Sequence, residues 1–237
     1  MLTWGRKRSK RAAVAVLGAA LFHIQPALGA SAQVCPPSST PIKLNFKTAT
    51  PATQYNHRLT LSGISGLVRS QGGAVGGGGR PVGLTVANTL YGLAGGTTIA
   101  SRGDTMCAYL TSVDVNFGWE RMDVYIPSEF PEGSCEYRAV LDHENQHVAI
   151  IKSALAEFAP RARAQVEAVL AQTKPLATRN PNRATETALA PVRAKLTALL
   201  REFNDIHSAR SARIDTPTNY AAVTAMCKNW EGAGSLK

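Results

Sequence analysis

The first half of the chain alternates apolar and polar residues in short runs, which is the pattern of half-buried β-strands. The alternation is clearest in KLNFKT at residues 43–48 and RMDVYI at residues 121–126. HRLTLS at residues 57–62 alternates in the same way, and residues 83–91 and 106–116 are rich in apolar and β-branched side chains. We expect these runs to form short antiparallel strands.

A glycine-rich segment, QGGAVGGGG at residues 71–79, interrupts this half of the chain. Its composition predicts a loop. A phosphate-binding loop is the functional alternative, but such a loop would continue into G-K-S or G-K-T, which the sequence lacks here.

The spacing of apolar residues changes to the period of a helix after residue 133. Ser134 is a good N-cap, so the first helix is predicted to begin near Cys135. Pro160 is expected to kink or end this helix. The apolar stripe of the helix consists of Val140, Ile151, Leu155 and Phe158.

Two more helices are predicted after a proline- and asparagine-rich loop at residues 172–183. The second covers about residues 185–212, and the third begins at Thr216, with Pro217 in the favoured first position, and ends near Trp230. The fold class is therefore α+β: an antiparallel sheet, a first helix, a returning helix and a short closing helix. We expect one domain over residues 33–237, with a β-rich part at 33–130 and a helical part at 134–230.

The N-terminus has the composition of a secretory signal peptide. Residues 1–11 carry five basic residues and no acid, and residues 12–24 are nearly all apolar. Residues 30–32 read Ala-Ser-Ala, a small-residue cleavage site. We therefore predict a signal peptide at residues 1–32 and an exported protein of the periplasm or the extracellular space. An uncleaved membrane anchor is the alternative, although the apolar run is short for a membrane span.

Removal of the leader also changes the charge. The whole chain has 26 basic and 16 acidic residues, so losing five basic residues leaves a net charge of +5 instead of +10. No Lys/Arg cluster with interleaved aromatic residues remains, so nucleic acid is not an expected partner. After cleavage we also expect no membrane span.

Four cysteines follow the leader: Cys35, Cys107, Cys135 and Cys227. An even number in an oxidising compartment predicts two disulfides. Three pairings are possible, and we favour Cys107–Cys135 together with Cys35–Cys227. Zinc ligation by these cysteines is disfavoured because no C-x-x-C spacing occurs.

The main chemical motif is His-Glu-Asn-Gln-His at residues 143–147, which fits H-E-x-x-H. Residues four apart lie on one face of a helix, so His143 and His147 can bind one zinc ion, and Glu144 is the candidate general base. All three lie on the apolar stripe, where two histidines and a carboxylate without partners would be costly to bury. The alternative is that these residues satisfy one another by hydrogen bonds without a metal.

The run CEYRAVLDHENQHV at residues 135–148, after a strand ending in Tyr-Ile-Pro, resembles bacterial secreted zinc-dependent proteases. The resemblance covers much of residues 84–230, although only the helix motif is specific. It implies peptide hydrolysis with a zinc cofactor and a peptide or protein substrate. Relatives carry Tyr-Asp-x-x-Thr-x-His-Gly after the second helix, whereas this chain has IDTPTNYA at residues 214–221, with Tyr220 at the histidine position.

The third zinc ligand is left open between two residues. If the helical hairpin turns near residue 178, the returning helix brings residues near 209 level with His147. His207 lies within a turn of that level, and Asp215 lies just beyond the end of the helix. Tyr220 is a rarer type of ligand.

The sequence thus predicts an exported zinc metallopeptidase in which Glu144 accepts a proton from water activated by the metal. Two alternatives use the same residues. One is a non-catalytic envelope protein with a structural zinc site, and the other is a hydrolase of cell-wall amides.

Overall fold

The computed structural model describes residues 35–70, 82–228 and 230. The predicted signal peptide at residues 1–32 and the glycine-rich loop at residues 71–79 lie outside the described residues. Within these residues the chain forms five strands and four α-helices. They are β1 (Lys43–Ala49), β2 (Gln54–Asn56), α1 (Leu61–Ser70), β3 (Leu84–Arg102), β4 (Thr105–Tyr125), α2 (Cys135–Ala171), β5 (Leu176–Thr178), α3 (Ala184–Ser211) and α4 (Pro217–Ala225).

The sheet is built around β4, which pairs with all four other strands. β3 and β4 form a long antiparallel hairpin, and β5 is also antiparallel to β4. β1 and β2, however, run parallel to β4, so the predicted antiparallel sheet is wrong for these two strands. The alternation of apolar residues reports which side chains face the core, but the direction of a neighbouring strand depends on the connections between them.

Residues 57–62 do not form the predicted strand. The strand before them is only Gln54–Asn56, and α1 begins at Leu61. The Thr60 side chain accepts a hydrogen bond from the Gly63 amide, and the Glu129 carboxylate accepts one from the Leu61 amide at 3.0 Å. A helix forms here instead of a strand because the distant Glu129 carboxylate accepts a hydrogen bond from the first amide of the helix.

The two predicted strands at residues 106–116 and 121–126 are parts of one 21-residue strand, β4. Gly118 lies between them with a positive φ of 141°, and its missing side chain leaves room for the backbone of Ala49 on β1. The strand therefore continues through the glycine because β1 packs closely there.

The hydrophobic core lies between the sheet and the helical hairpin of α2 and α3. Alternate residues of β4 point into it, and its centre is aromatic. Trp119 and Phe203 lie with ring centroids 4.8 Å apart, and the Trp119 indole donates to the Ile151 carbonyl of α2 at 3.2 Å. These contacts fix the position of α2 on the sheet. The phenylalanine and tryptophan members of the core are Phe117, Trp119, Phe130, Phe158 and Phe203.

α2 does not end at Pro160, although Pro160 removes one backbone hydrogen bond. The helix runs for 37 residues, and Phe158, Ala162 and Val166 on both sides of the proline are buried in the core. Burial of a large apolar side chain contributes roughly 1.5–3 kcal/mol, so Phe158 and Val166 together offset the cost of about 3 kcal/mol that an interior proline imposes. The predicted loop at residues 172–183 contains the short strand β5 and a 3₁₀ turn at Pro181–Arg183.

Two disulfides join the four cysteines, as predicted, but the favoured pairing is wrong. Cys35 pairs with Cys107, and Cys135 pairs with Cys227. Cys107 lies near the start of β4, and about 18 residues of extended strand, roughly 50–60 Å, separate it from the end of β4 that leads to α2. Cys107 is therefore too far from Cys135 to pair with it.

None of the helices in the described part of the chain combines the length and the apolar character needed to cross a membrane.

Candidate metal centre

The motif residues lie on the third and fourth turns of α2. Ser134 caps this helix by accepting a hydrogen bond from the Tyr137 amide, and the helix then continues through residues 143–147. The His143 and His147 rings are 5.1 Å apart between centroids, with an angle of 82° between their planes. Both residues are buried, with 4% and 8% of their surface exposed. The helical repeat alone thus brings two imidazoles together.

Asp215 completes this group from the turn between α3 and α4. Its Oδ1 lies 3.3 Å from Nε2 of His143 and 3.0 Å from Nε2 of His147. Donor atoms of the three residues all lie within 4.8 Å of one another. Two ligands of a tetrahedral zinc ion, each bound at about 2.0–2.1 Å, are about 3.3 Å apart, so these separations fit a shared ion.

The electrostatics of the group favour a negative Asp215. Burial opposes ionisation, but hydrogen bonds from His143, His147 and Tyr220 outweigh it and hold the pKa of Asp215 far below its usual value. Burial lowers the pKa of His147, yet the hydrogen bond to Asp215 and the charge of Glu144 outweigh this and raise its pKa overall. The carboxylates therefore make this a cation-attracting site.

Glu144 is buried beside the two histidines, with 3% of its surface exposed. Its Oε2 accepts a 2.7 Å hydrogen bond from the Thr85 hydroxyl on β3. A Cβ atom added to Gly83 would lie 2.6 Å from Oε1 of Glu144, so the strand passes very close to this carboxylate. Burial raises the pKa of Glu144, while the charges of His147 and His143 and the Thr85 hydrogen bond partly oppose it.

His207 is not among the residues whose possible metal-ligand atoms lie close together, which are His143, His147 and Asp215. Its Nδ1 lies 3.0 Å from the Asn204 carbonyl oxygen of its own helix, and its ring stands edge-on to Trp119 at 5.1 Å. Burial lowers the pKa of His207, and the nearby His147 contributes to this. Of the two candidate third ligands, the structure thus brings Asp215 and not His207 to the imidazoles.

Three attachments hold the segment that carries Asp215 along α2. Arg210 forms a two-pronged ion pair with Glu157, Asp215 meets His143 and His147, and Cys227 is bonded to Cys135. As the later segment passes from residue 210 to 215 and then 227, its partners on α2 fall from residue 157 to 147 and then 135. The chain from residue 210 to residue 227 therefore runs antiparallel to α2.

Sequence reasoning missed Thr85, and it considered Tyr220 only as a rarer type of ligand and not as a hydrogen-bonding partner of Asp215. Thr85 is an ordinary strand residue in the sequence, and nothing there indicates its bond to Glu144. Tyr220 donates a 2.9 Å hydrogen bond to Oδ1 of Asp215, and its ring lies 5.4 Å from that of His143. The one sequence feature that pointed to Tyr220 as part of the site is its place at the histidine position of the protease pattern.

Comparison with known proteins identifies no relative: no family model, no curated protein and no solved structure matches the chain. The resemblance to secreted zinc-dependent proteases therefore stays a prediction, and the function has to be argued from the site.

Proposed function

We propose that the protein is an exported zinc-dependent hydrolase that cleaves peptide bonds. The observation that carries this proposal is the convergence of His143, His147 and Asp215 at ligand spacing, with the carboxylate of Glu144 beside them. Two imidazoles and one carboxylate are a donor set of catalytic zinc, in which the fourth position stays open. A structural zinc site would instead have four protein ligands. Among the described residues, the group of possible ligands has three members: His143, His147 and Asp215.

His143, His147 and Asp215 would hold the ion. A zinc ion bound there supplies Lewis-acid chemistry, which polarises a substrate carbonyl and lowers the pKa of water to about 7. The chain itself supplies Glu144, whose carboxylate can take a proton from water and deliver it to the leaving amine. Thr85 donates to one carboxylate oxygen of Glu144, which orients the carboxylate.

The strand next to Glu144 supports an extended polypeptide as substrate. Among the described strands, β3 pairs only with β4, so its outer edge keeps unpaired backbone groups. β3 begins at Leu84, and its second residue, Thr85, contacts Glu144. A peptide can add to such an edge by backbone hydrogen bonds, and its scissile bond would then lie near the proposed base.

Two observations are compatible with export. The chain forms two disulfides, and bonds of this kind persist in oxidising compartments. No helix in the described residues is suited to cross a membrane.

The test is metal analysis and hydrolysis by the purified protein and by Glu144→Gln. We expect about one zinc per chain in both, hydrolysis of casein by the wild type, and a loss of roughly 10²–10⁴-fold in the variant because the proton acceptor is gone. Glu167→Gln, which changes an exposed carboxylate on the same helix, is the matched control and should remain active.

Three other outcomes would contradict the proposal in different ways. A wild-type protein without zinc removes its basis. Stoichiometric zinc without any turnover favours a structural zinc site. Turnover of muropeptides but not of casein favours a cell-wall amide hydrolase.

A further inference from the structure

Three groups converge on a single oxygen atom of the candidate metal centre. Oδ1 of Asp215 lies within hydrogen-bond distance of Nε2 of His143, Nε2 of His147 and the hydroxyl of Tyr220. The Tyr220 contact, at 2.9 Å, is the shortest of the three. Tyr220 therefore belongs to the surroundings of Asp215 as much as the histidines do.

Binding of a cation changes two of these contacts but not the third. A histidine that coordinates through Nε2 has no proton on that nitrogen and can no longer donate a hydrogen bond from it. The hydrogen bonds from His143 and His147 to Asp215 are then lost, whereas the phenol of Tyr220 can still donate. Of the three contacts, Tyr220 is the one that can hold the carboxylate in a metal-loaded centre.

Once the two histidines bind a cation, Asp215 depends on such support because solvent reaches part of its side chain. It lies on a turn, and 36% of its side chain is exposed. Tyr220 itself is well fixed: its amide donates to the Thr216 carbonyl at 3.0 Å, and Thr216 caps α4 by accepting from the Asn219 amide. A fixed donor thus faces a carboxylate that is partly exposed to solvent.

We propose that Tyr220 is a positioning residue of the metal centre, which holds the carboxylate of Asp215 in place for the cation through its hydroxyl. The inference rests on the proposed function, because it needs a metal ion bound by His143, His147 and Asp215. Hydrogen-bonding partners of metal ligands typically change metal affinity by about 10–100-fold.

The test compares Tyr220→Phe with Tyr55→Phe in the full chain. Tyr55 is a matched control because its hydroxyl also donates to α2, at 2.7 Å to Oδ1 of Asn145, but outside the group of donors. Zinc affinity is measured by competition with a chelator, and the cobalt(II) form gives an absorption spectrum of the centre. We expect a dissociation constant for zinc about 10–100-fold higher and an altered cobalt spectrum for Tyr220→Phe. For Tyr55→Phe we expect no change in either.

A double-mutant cycle with Asp215→Asn separates positioning from general stabilisation. If Tyr220 acts through Asp215, removing its hydroxyl in the Asp215→Asn background has little further effect on affinity. Additive losses in the cycle would overturn the proposal. Thermal unfolding in the presence of a chelator shows whether each variant is folded before its affinity is compared.

Two further results would overturn the inference while leaving the metal centre intact. One is a Tyr220→Phe variant that binds zinc as tightly as the wild type with the same cobalt spectrum. The other is a phenolate-to-copper charge-transfer band in the copper(II) wild type that Tyr220→Phe lacks, which would make Tyr220 a direct ligand. A wild type that binds neither zinc nor cobalt would instead refute the proposed function.

Discussion

The hydroxyl of Thr85 on β3 lies 2.7 Å from Oε2 of Glu144 and 3.2 Å from the backbone carbonyl oxygen of the same residue. A single side chain of the sheet therefore contacts both the carboxylate and the backbone of one helical residue. This fixes the start of β3 against α2 at the point where His143 and His147 face Asp215.

Thr85→Val should destabilise the protein, because it keeps the shape of the side chain but removes the donor to a buried carboxylate. A hydrogen bond to a charged group contributes about 1.5–3 kcal/mol, and the free energy of unfolding should fall by about that amount. Urea unfolding of the metal-free protein measures it. Thr85→Ser keeps the hydroxyl and is the control. A Thr85→Val variant as stable as the wild type would show that the hydrogen bond to Glu144 does not contribute to stability.

Gly83→Ala should disturb the same carboxylate by steric contact. The new Cβ would lie 2.6 Å from Oε1 of Glu144 and 2.6 Å from Cγ1 of Val140, so the strand or the helix has to move. Overpacking of this kind costs about 1–3 kcal/mol, which thermal or urea unfolding can detect. If the proposed function is correct, zinc content should stay unchanged while hydrolysis falls.

Gly66→Ala is the control for that substitution, since no atom lies within 4 Å of a Cβ added to Gly66 in α1. It should be neutral or stabilise the protein by up to about 1 kcal/mol, as glycine is a poor helix former. A Gly83→Ala protein as stable as Gly66→Ala, with full activity, would contradict the close packing at Glu144.

Asp215→Ala and His207→Ala should differ sharply in metal binding. Loss of Asp215 removes one of three donors, so zinc affinity should fall by more than the roughly 100-fold that loss of an outer partner can cause. His207 packs against Trp119 and donates no atom to the group, so its loss should change affinity by less than about tenfold. Equilibrium titration with zinc separates the two, and the reverse order would identify His207 as the ligand.

The two disulfides should differ in their effect on metal binding but not in their effect on stability. They span 72 and 92 residues, so breaking either one should cost a similar amount, about 2–5 kcal/mol. Of the two disulfides, only Cys135–Cys227 anchors the segment that carries Asp215. The double variant Cys135→Ala/Cys227→Ala should therefore lose about tenfold or more in zinc affinity, and Cys35→Ala/Cys107→Ala should not. Equal zinc affinities in the two folded variants would refute the anchoring role.

Much of the local structure could be predicted because it depends on near neighbours in the chain. Ser134 caps α2, Thr216 caps α4 with Pro217 in the first turn, and α3 at Ala184–Ser211 lies close to the predicted range. Pro160 was expected to kink or end α2, and the helix does not end there, since burial of Phe158 and Val166 in the core outweighs the cost of the proline. Local rules therefore worked where the core did not overrule them.

By itself, the sequence determined that His143 and His147 lie one helical turn apart with Glu144 between them, because the repeat of a helix fixes residues four apart on one face. Tertiary structure decided which residues meet them. Asp215 is 68 residues beyond His147 and Thr85 is 59 residues before Glu144, and the pairings of Cys107 and Cys135 likewise depend on distant chain segments. Such contacts are set by how the sheet and the helical hairpin pack around a shared core, and no local pattern of residues encodes that packing.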